Sequence, residues 1–289
     1  MNAFDYVAPT SLHEAVTLLA DKGEKARVLA GGTDILVQLR EGRRRLDWLV
    51  DIKKIPEVNE LICDTTQGLV VGAAVPCSVL YEHPALPKLY PGLNDAVSLI
   101  GGIQIQNRAS IGGNLCNASP AGDSIPALIA AGGVCHIAGP KGSREVPVEQ
   151  FCTAPGKTAL QPGELLVRVR FPAPKKHEGS AYLRFIPRNE MDIAVVGVGV
   201  SVTLEGAKCV AARVAVGAVA PTPLLVADAG QALVGTTLDD KALAQAAERA
   251  RAAARPISDM RGDAEYRRHL VGVLVQRALR IAHERAKER

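Results

Sequence analysis

Apolar residues along this chain follow a helical rhythm at both ends and a strand rhythm between them. Ser11 and Glu14 form a capping box ahead of Ala15, Leu18 and Leu19, which share one helical face. Val28-Leu29-Ala30 is a short apolar strand running into Gly31-Gly32-Thr33-Asp34, and a helical pattern resumes over Ile35–Leu39. Trp48–Ile52 predicts another strand, so the first stretch is a β-α-β-like unit ending near Pro56. Val58–Cys63 and Gly68–Ala73 predict a strand pair, Pro76–Pro91 short helices, and Asn94–Ile100 a helix. From Gly101 to Asp123 the chain is rich in Gly and Asn and predicts a loop.

Further on, β-branched content predicts strands at Val134–Ala138 and Glu164–Phe171, with a turn at Gly142–Glu145. The segment from Pro172 to Gly179, carrying two prolines and two lysines, predicts a linker. Beyond it come strand patterns at Ala181–Ile186, Asp192–Leu204 and Cys209–Ala218, then helices over Leu238–Ala254 and Asp263–Glu288. The last helix carries a stripe at Leu270, Val273, Leu274, Ala278 and Ile281. A sheet followed by a helical layer predicts a separate α+β domain at the C-terminus.

Composition narrows the functional classes. The 289 residues are enough for two domains. The content of 47% hydrophobic and 22% charged residues is that of a globular protein and excludes a disordered one. Thirty-four basic against 30 acidic side chains give +4, too small and too spread for a nucleic-acid footprint. With 3% aromatic residues, a base-stacking platform is also excluded. The longest apolar runs, near Ala127–Val134 and Ile193–Val202, reach about half of a bilayer span. Met1–Asp5 lacks the basic start of a signal peptide, so a cytoplasmic protein is expected. The six cysteines never fall at C-x-x-C spacing, so no iron–sulfur or zinc ligand set is expected, and most are expected to be buried small hydrophobes.

Familiar catalytic motifs are missing. G-x-G-x-x-G, H-E-x-x-H and G-x-S-x-G do not occur. Gly156-Lys157-Thr158 imitates a P-loop ending, but the required upstream glycine position holds Phe151. The histidines are scattered, so no catalytic or metal-ligating set is expected in this chain. Two glycine-rich segments remain, Ala30-Gly31-Gly32-Thr33-Asp34-Ile35-Leu36 and Ser110-Ile111-Gly112-Gly113-Asn114, the second running on to Asp123. Paired glycines let backbone amides turn into one concavity, and the first segment opens a helix, where an anion is favoured. Two such loops facing each other could wrap a pyrophosphate, with Thr33, Ser110, Asn114 and Asp123 supplying side-chain hydrogen bonds. Two ordinary tight turns are the competing reading. Spacing and composition leave FAD, NAD, coenzyme A and a nucleotide sugar equally open.

The two glycine segments resemble the FAD loops of molybdenum-hydroxylase flavoprotein subunits, the xanthine dehydrogenase and carbon monoxide dehydrogenase medium-subunit family. Phe4-Asp5-Tyr6 with Pro9 resembles that family's start, Arg188–Ala194 the opening of its C-terminal domain, and Ser258–Gly262 with Tyr266-Arg267 its final segment. The resemblance implies an α+β fold: a two-part vanillyl-alcohol-oxidase-type (PCMH) FAD-binding domain, then a C-terminal domain of antiparallel sheet plus helices. The corresponding divisions are 1–57, 58–174 and 179–289. It implies that Ala30 to Leu36 cradle the FAD pyrophosphate from one side, with Gly101, Ser110, Ile111, Gly112, Gly113 and Asn114 on the other. Asp123 is implied to accept bonds from FAD hydroxyls or adjoining amides, and Leu166 and Phe185 to pack on the cofactor rings. The resemblance further implies a large molybdopterin subunit and a small [2Fe–2S] subunit, a dimer of heterotrimers, and NAD or another oxidant as acceptor. The Cys-rich insertion of benzoyl-CoA-reductase-like members is missing between Pro76 and Gly101. Two other readings are a self-contained FAD oxidoreductase of the same superfamily, for which the chain is short, and an assembly subunit with an empty site.

Overall fold

The computed structural model describes residues 3–289; Met1 and Asn2, the start of the stretch read for a leader, lie outside them. The N-terminal unit is a parallel sheet in the order Asp5–Val7, Trp48–Asp51, Ala26–Leu29, with Trp48–Asp51 central. The Leu12–Lys22 helix covers it with Ala15, Val16 and Leu19. The Ser11 hydroxyl accepts from the Glu14 amide at 3.2 Å, and the Glu14 carboxylate accepts from the Thr10 amide at 3.0 Å. The capping box therefore closes, one residue further out than its usual return bond. The Ala26–Leu29 strand runs out at Ala30, and the Ile35–Arg40 helix begins five residues later.

A second, antiparallel sheet has the order Leu61–Asp64, Gly68–Gly72, Leu165–Phe171, Val134–Gly139, Gly142–Pro147. Its core holds Leu69, Val71, Ile137, Val169 and Phe171 beneath the short helices Pro91–Val97, Ile111–Asn117 and Ser124–Ala130. Two expectations are corrected here. Gly142–Glu145 is not a turn: the hairpin turns at Pro140-Lys141, and Gly142–Pro147 is an edge strand whose polar Ser143, Arg144 and Glu145 suit its wet side. The second glycine segment is not a loop throughout: Ser110 caps a helix over Ile111–Asn117, donor and acceptor being the Gly113 amide and the Ser110 hydroxyl at 3.0 Å. Tertiary packing overrides the low helix propensity of paired glycines there.

The C-terminal sheet has the order Glu178–Phe185, Val196–Glu205, Lys208–Gly217, Leu224–Leu225. Its second strand starts at Val196, later than Asp192, because Asp192 turns back to bind the Arg188 amide and guanidinium. Val196, Val198, Val200 and Val202 are all buried, as are the intervening residues Gly197, Gly199 and Ser201. A strand covered on both faces reads as a continuous apolar run. One face carries the Ala264–Lys287 helix, with Asp240–Ala253 packed against that helix in turn. The other face lies on the Ser124–Ala130 helix of the preceding half.

The Ala131, Gly133 and Gly132 amides bond the Ala127, Leu128 and Ile129 carbonyls of that helix, and the C-terminal sheet completes its end. The Ser201 hydroxyl donates to the Ala130 carbonyl at 2.8 Å, and Arg213 Nε donates to the Ile129 carbonyl at 2.9 Å while its Nη2 meets Glu149 at 2.9 Å. Arg285 adds a second clasp, with two bonds to Asp95 at 2.6 and 3.1 Å. Arg213→Ala is expected to destabilise the protein by about 1–2 kcal/mol, the value of a charge-assisted bond to a helix end discounted for its partial exposure. The midpoint of urea unfolding reads this, and an unchanged midpoint would show that the two halves do not depend on this contact.

Candidate functional site

The loop after the Ala26–Leu29 strand and the start of the Ile111–Asn117 helix meet backbone to backbone. A Cβ added at Gly31 would lie 1.9 Å from the Arg108 carbonyl oxygen, and one at Gly112 would lie 2.4 Å from the Ala73 carbonyl oxygen. These two glycines are therefore required by chain crossing rather than by ligand approach. Gly32 has φ +85°, a left-handed turn that glycine tolerates. Gly113 differs: an added Cβ would meet no backbone, only the Ser110 hydroxyl at 3.2 Å, a tight contact with the side chain that caps this helix.

The two segments line a cleft of about 570 Å³, within the range of small-molecule and cofactor sites. Ala30, Gly31, Gly32, Thr33, Asp34 and Ile35 line it on one side and Ser110, Gly112, Gly113 and Asn114 on the other, with Leu166 on the wall. Among the described residues the backbone amides of cleft-lining Thr33, Asp34, Ile35 and Gly112 have no backbone acceptor. Four such N–H groups on residues lining one cavity fit an anionic group well. The arrangement fits a dinucleotide phosphate with sugar and ring portions lying along the wall.

The remaining expected residues do not line the cleft. Leu36 is largely exposed beside Gly32, and Ile111 is fully buried in the core. Gly101 has φ +60° and packs against Ile105, one residue beyond cleft-lining Ile100. Phe185 stacks edge-on with Tyr266, ring centres 6.0 Å apart, against the C-terminal core. Asp123 is occupied by the C-terminal sheet: Tyr182 Oη donates to it at 3.0 Å and Arg184 Nη1 at 2.7 Å. Burial pushes the Asp123 carboxyl up to about 6, with Arg184 and Tyr182 opposing the shift. It reaches the cleft only through its neighbour, since the Ser124 hydroxyl donates to Asn114 Oδ1 at 2.7 Å.

Several supporting residues carry no local motif. Lys53 Nζ donates to the Ala30 carbonyl at 3.1 Å and to buried Asp51 at 2.7 Å, anchoring the first loop at its origin. Burial raises the Asp51 carboxyl, but bonds from Lys53 and Tyr6 outweigh it and hold the group below its ordinary value. Gln38 donates to Asn117 at 3.3 Å, and Asn117 to Asp34 at 3.2 Å, so side chains also bridge the two loops. Asp34 has no cation beside it, and burial raises its pKa. Cys116 also lines the cleft, its thiol pushed up to about 12 by burial, and so is a poor nucleophile at neutral pH. Cys77, Cys135, Cys152 and Cys209 are buried and all six thiols are free, as the apolar reading expects.

Comparison with known proteins assigns the architecture. Residues 2–174 match the family described as FAD binding domain in molybdopterin dehydrogenase. Residues 181–282 match the CO dehydrogenase flavoprotein C-terminal domain. The carbon monoxide dehydrogenase medium chain of Afipia carboxidovorans is 37% identical over 99% of this chain and 98% of its own. The putative xanthine dehydrogenase FAD-binding subunit of Escherichia coli K12 is 34% identical over 95% and 94%. A structure of reconstituted CO dehydrogenase from Oligotropha carboxidovorans superposes with a TM-score of 0.94 at 36% identity, covering 98% of this chain and 99% of that one. The α+β fold expected from the sequence is that of these relatives.

Asp123→Ala leaves Arg184, whose side chain is only 5% exposed, without its carboxylate. The expected cost is about 3 kcal/mol or more, the penalty for stranding one partner of a buried pair. Thermal unfolding of the flavin-free protein reads this separately from any change in cofactor content. A flavin-free variant as stable as the parent would mean that Arg184 finds another partner.

Proposed function

This chain belongs to the FAD-binding medium-subunit family of the molybdenum hydroxylases, as the flavin subunit of an oxidoreductase, and from that we propose how it works. This chain would hold FAD, a group that would supply electron transfer from [2Fe–2S] clusters of a small partner subunit to NAD or another oxidant, while a large molybdopterin subunit oxidises the substrate. The assembly is a dimer of heterotrimers in the cytoplasm. Among the described residues no helix is long and apolar enough to cross a membrane. We divide the chain at 1–57, 58–174 and 179–289.

The observation that carries this reading is the cleft lined by four amides without backbone acceptors, from Thr33, Asp34, Ile35 and Gly112 in the two glycine turns. The Thr33–Ile35 amides hold the pyrophosphate from one side and the Gly112 amide from the other. Ser110 and Asn114 keep the second segment in register, and Leu166 packs on a cofactor ring. When bound, the flavin would supply one-electron to two-electron conversion, and the protein contributes orientation and electrostatics. No nucleophile or general base of this chain takes part. Asp123, Gly101, Ile111, Leu36 and Phe185 act from behind, by bracing the walls.

The purified chain is expected to be yellow, with bands near ~370 and ~450 nm typical of oxidised flavin. Acid precipitation is expected to release the colour, since Cys116 is a buried, protonated thiol; flavin retained in the pellet would refute non-covalent binding. The lone chain is expected to oxidise no substrate, and addition of the two partner subunits to restore turnover. Turnover by the lone chain at about 1 s⁻¹ or faster would install the self-contained oxidoreductase instead.

Gly113→Val adds a branched side chain at a cleft-lining position without touching the Gly31 and Gly112 crossings. Its flavin content is expected to fall by more than about tenfold, a loss of at least ~1.4 kcal/mol in binding, with far-ultraviolet circular dichroism retained. Full flavin content would show that the second turn is purely structural.

A further inference from the structure

We propose that Arg27 and Arg44 form the cationic half of the cradle, neutralising the pyrophosphate charge that the glycine-turn amides only orient. This rests on the FAD reading above. Both side chains line the cleft that holds the glycine turns. Arg27 leaves the Ala26–Leu29 strand three residues before Ala30, about 10 Å along an extended chain and within reach of a long side chain.

Neither arginine meets a carboxylate. Arg27 Nη1 donates to the backbone carbonyls of Glu24 and Ala26 at 3.2 and 2.8 Å, and Arg44 Nε donates to Gln38 Oε1 at 3.1 Å. Other half-buried arginines, Arg144, Arg213 and Arg285, rest on Glu164, Glu149 and Asp95. The two guanidiniums repel each other, and burial together with Arg44 lowers the Arg27 pKa against the opposing pull of the Glu24 carboxylate, which makes no salt bridge with it. Two like charges facing one cavity with donors to spare mark a place where an anion completes the structure.

The charges around them support an incoming anion as the partner. Of the cleft-lining carboxylates, Glu164 is taken by Arg144. Glu24 and Asp34 remain and would repel a pyrophosphate if no cation offset them. Arg44 is also fastened into the bridge between the loops, through Gln38, Asn117 and Asp34. Its guanidinium is thus held by the same chain of bonds that joins the two turns. Guanidinium groups match phosphate oxygens in a forked geometry that an ammonium lacks.

The full-length protein, stripped of flavin, is titrated with FAD and with ADP at several salt concentrations. Arg27→Gln and Arg44→Gln are each expected to weaken both ligands about tenfold, the value of one charge-assisted bond to phosphate. Each is also expected to flatten the dependence of log Kd on log salt, because a screened charge interaction is lost. Arg44→Lys is expected to keep most of the salt dependence, which separates loss of charge from a folding defect. Glutamine variants with unchanged Kd, or with weaker binding at an unchanged salt slope, would overturn the proposal. A parent protein that binds no FAD would overturn the FAD reading beneath it, a result distinguishable from failure of the arginine assignment alone.

Discussion

Two close backbone crossings, at Gly31 and at Gly112, with no side chain between the chains, govern this molecule. Gly31 lies against the Arg108 carbonyl and Gly112 against Ala73, at separations that leave no room for a Cβ atom. Because of these contacts, the turn after the Ala26–Leu29 strand and the first turn of the Ile111–Asn117 helix share one cleft. Packed atoms at such distances cannot slide gradually, so the two turns behave as one rigid piece. Lys53, held by Asp51, then fixes where the first turn begins, and the Gln38–Asn117–Asp34 bridge fixes its far side.

The C-terminal half braces this piece from behind. Its sheet lies on the Ser124–Ala130 helix, caps that helix with Ser201 and Arg213, and takes up Asp123 with Tyr182 and Arg184. The Ser124 hydroxyl on Asn114 carries the bracing into the cleft wall. The second half thereby positions a cofactor site that it does not line. For an electron-transfer subunit such rigidity has a use: polar groups already in place around a flavin need not reorganise when its charge changes.

Chemistry and shape are divided between backbone and side chains. The amides without backbone acceptors suit an anion, and the charged side chains lining the same cleft, Glu24 and Asp34 against Arg27 and Arg44, set the field such an anion would meet. No metal-binding group of His, Cys, Asp and Glu occurs among the described residues, and the cysteine nearest the chemistry, Cys116, is held as a thiol. In this fold the protein contributes mainly a held geometry.

Much of this was legible along the chain. The capping box at Ser11 and Glu14, the valine run from Val196 and the stripe in the last helix each act through neighbours a few residues apart, and period alone reveals them. The glycine segments were visible too, and with them Ala30 to Ile35, Ser110, Gly112, Gly113 and Asn114 as cleft residues. Their physical reason was only half visible, because a glycine required by a passing carbonyl and one required by a ligand look alike in sequence. The helix at Ile111–Asn117 and the edge strand at Gly142–Pro147 were missed where packing overrode local propensity. Lys53 on Ala30, Arg184 on Asp123 and the Arg27–Arg44 pair depend on contacts between segments 17 to 61 positions apart, and no periodic signal spans that distance. Local order was set by the sequence; which charges meet across the cleft was decided only when the chain closed on itself.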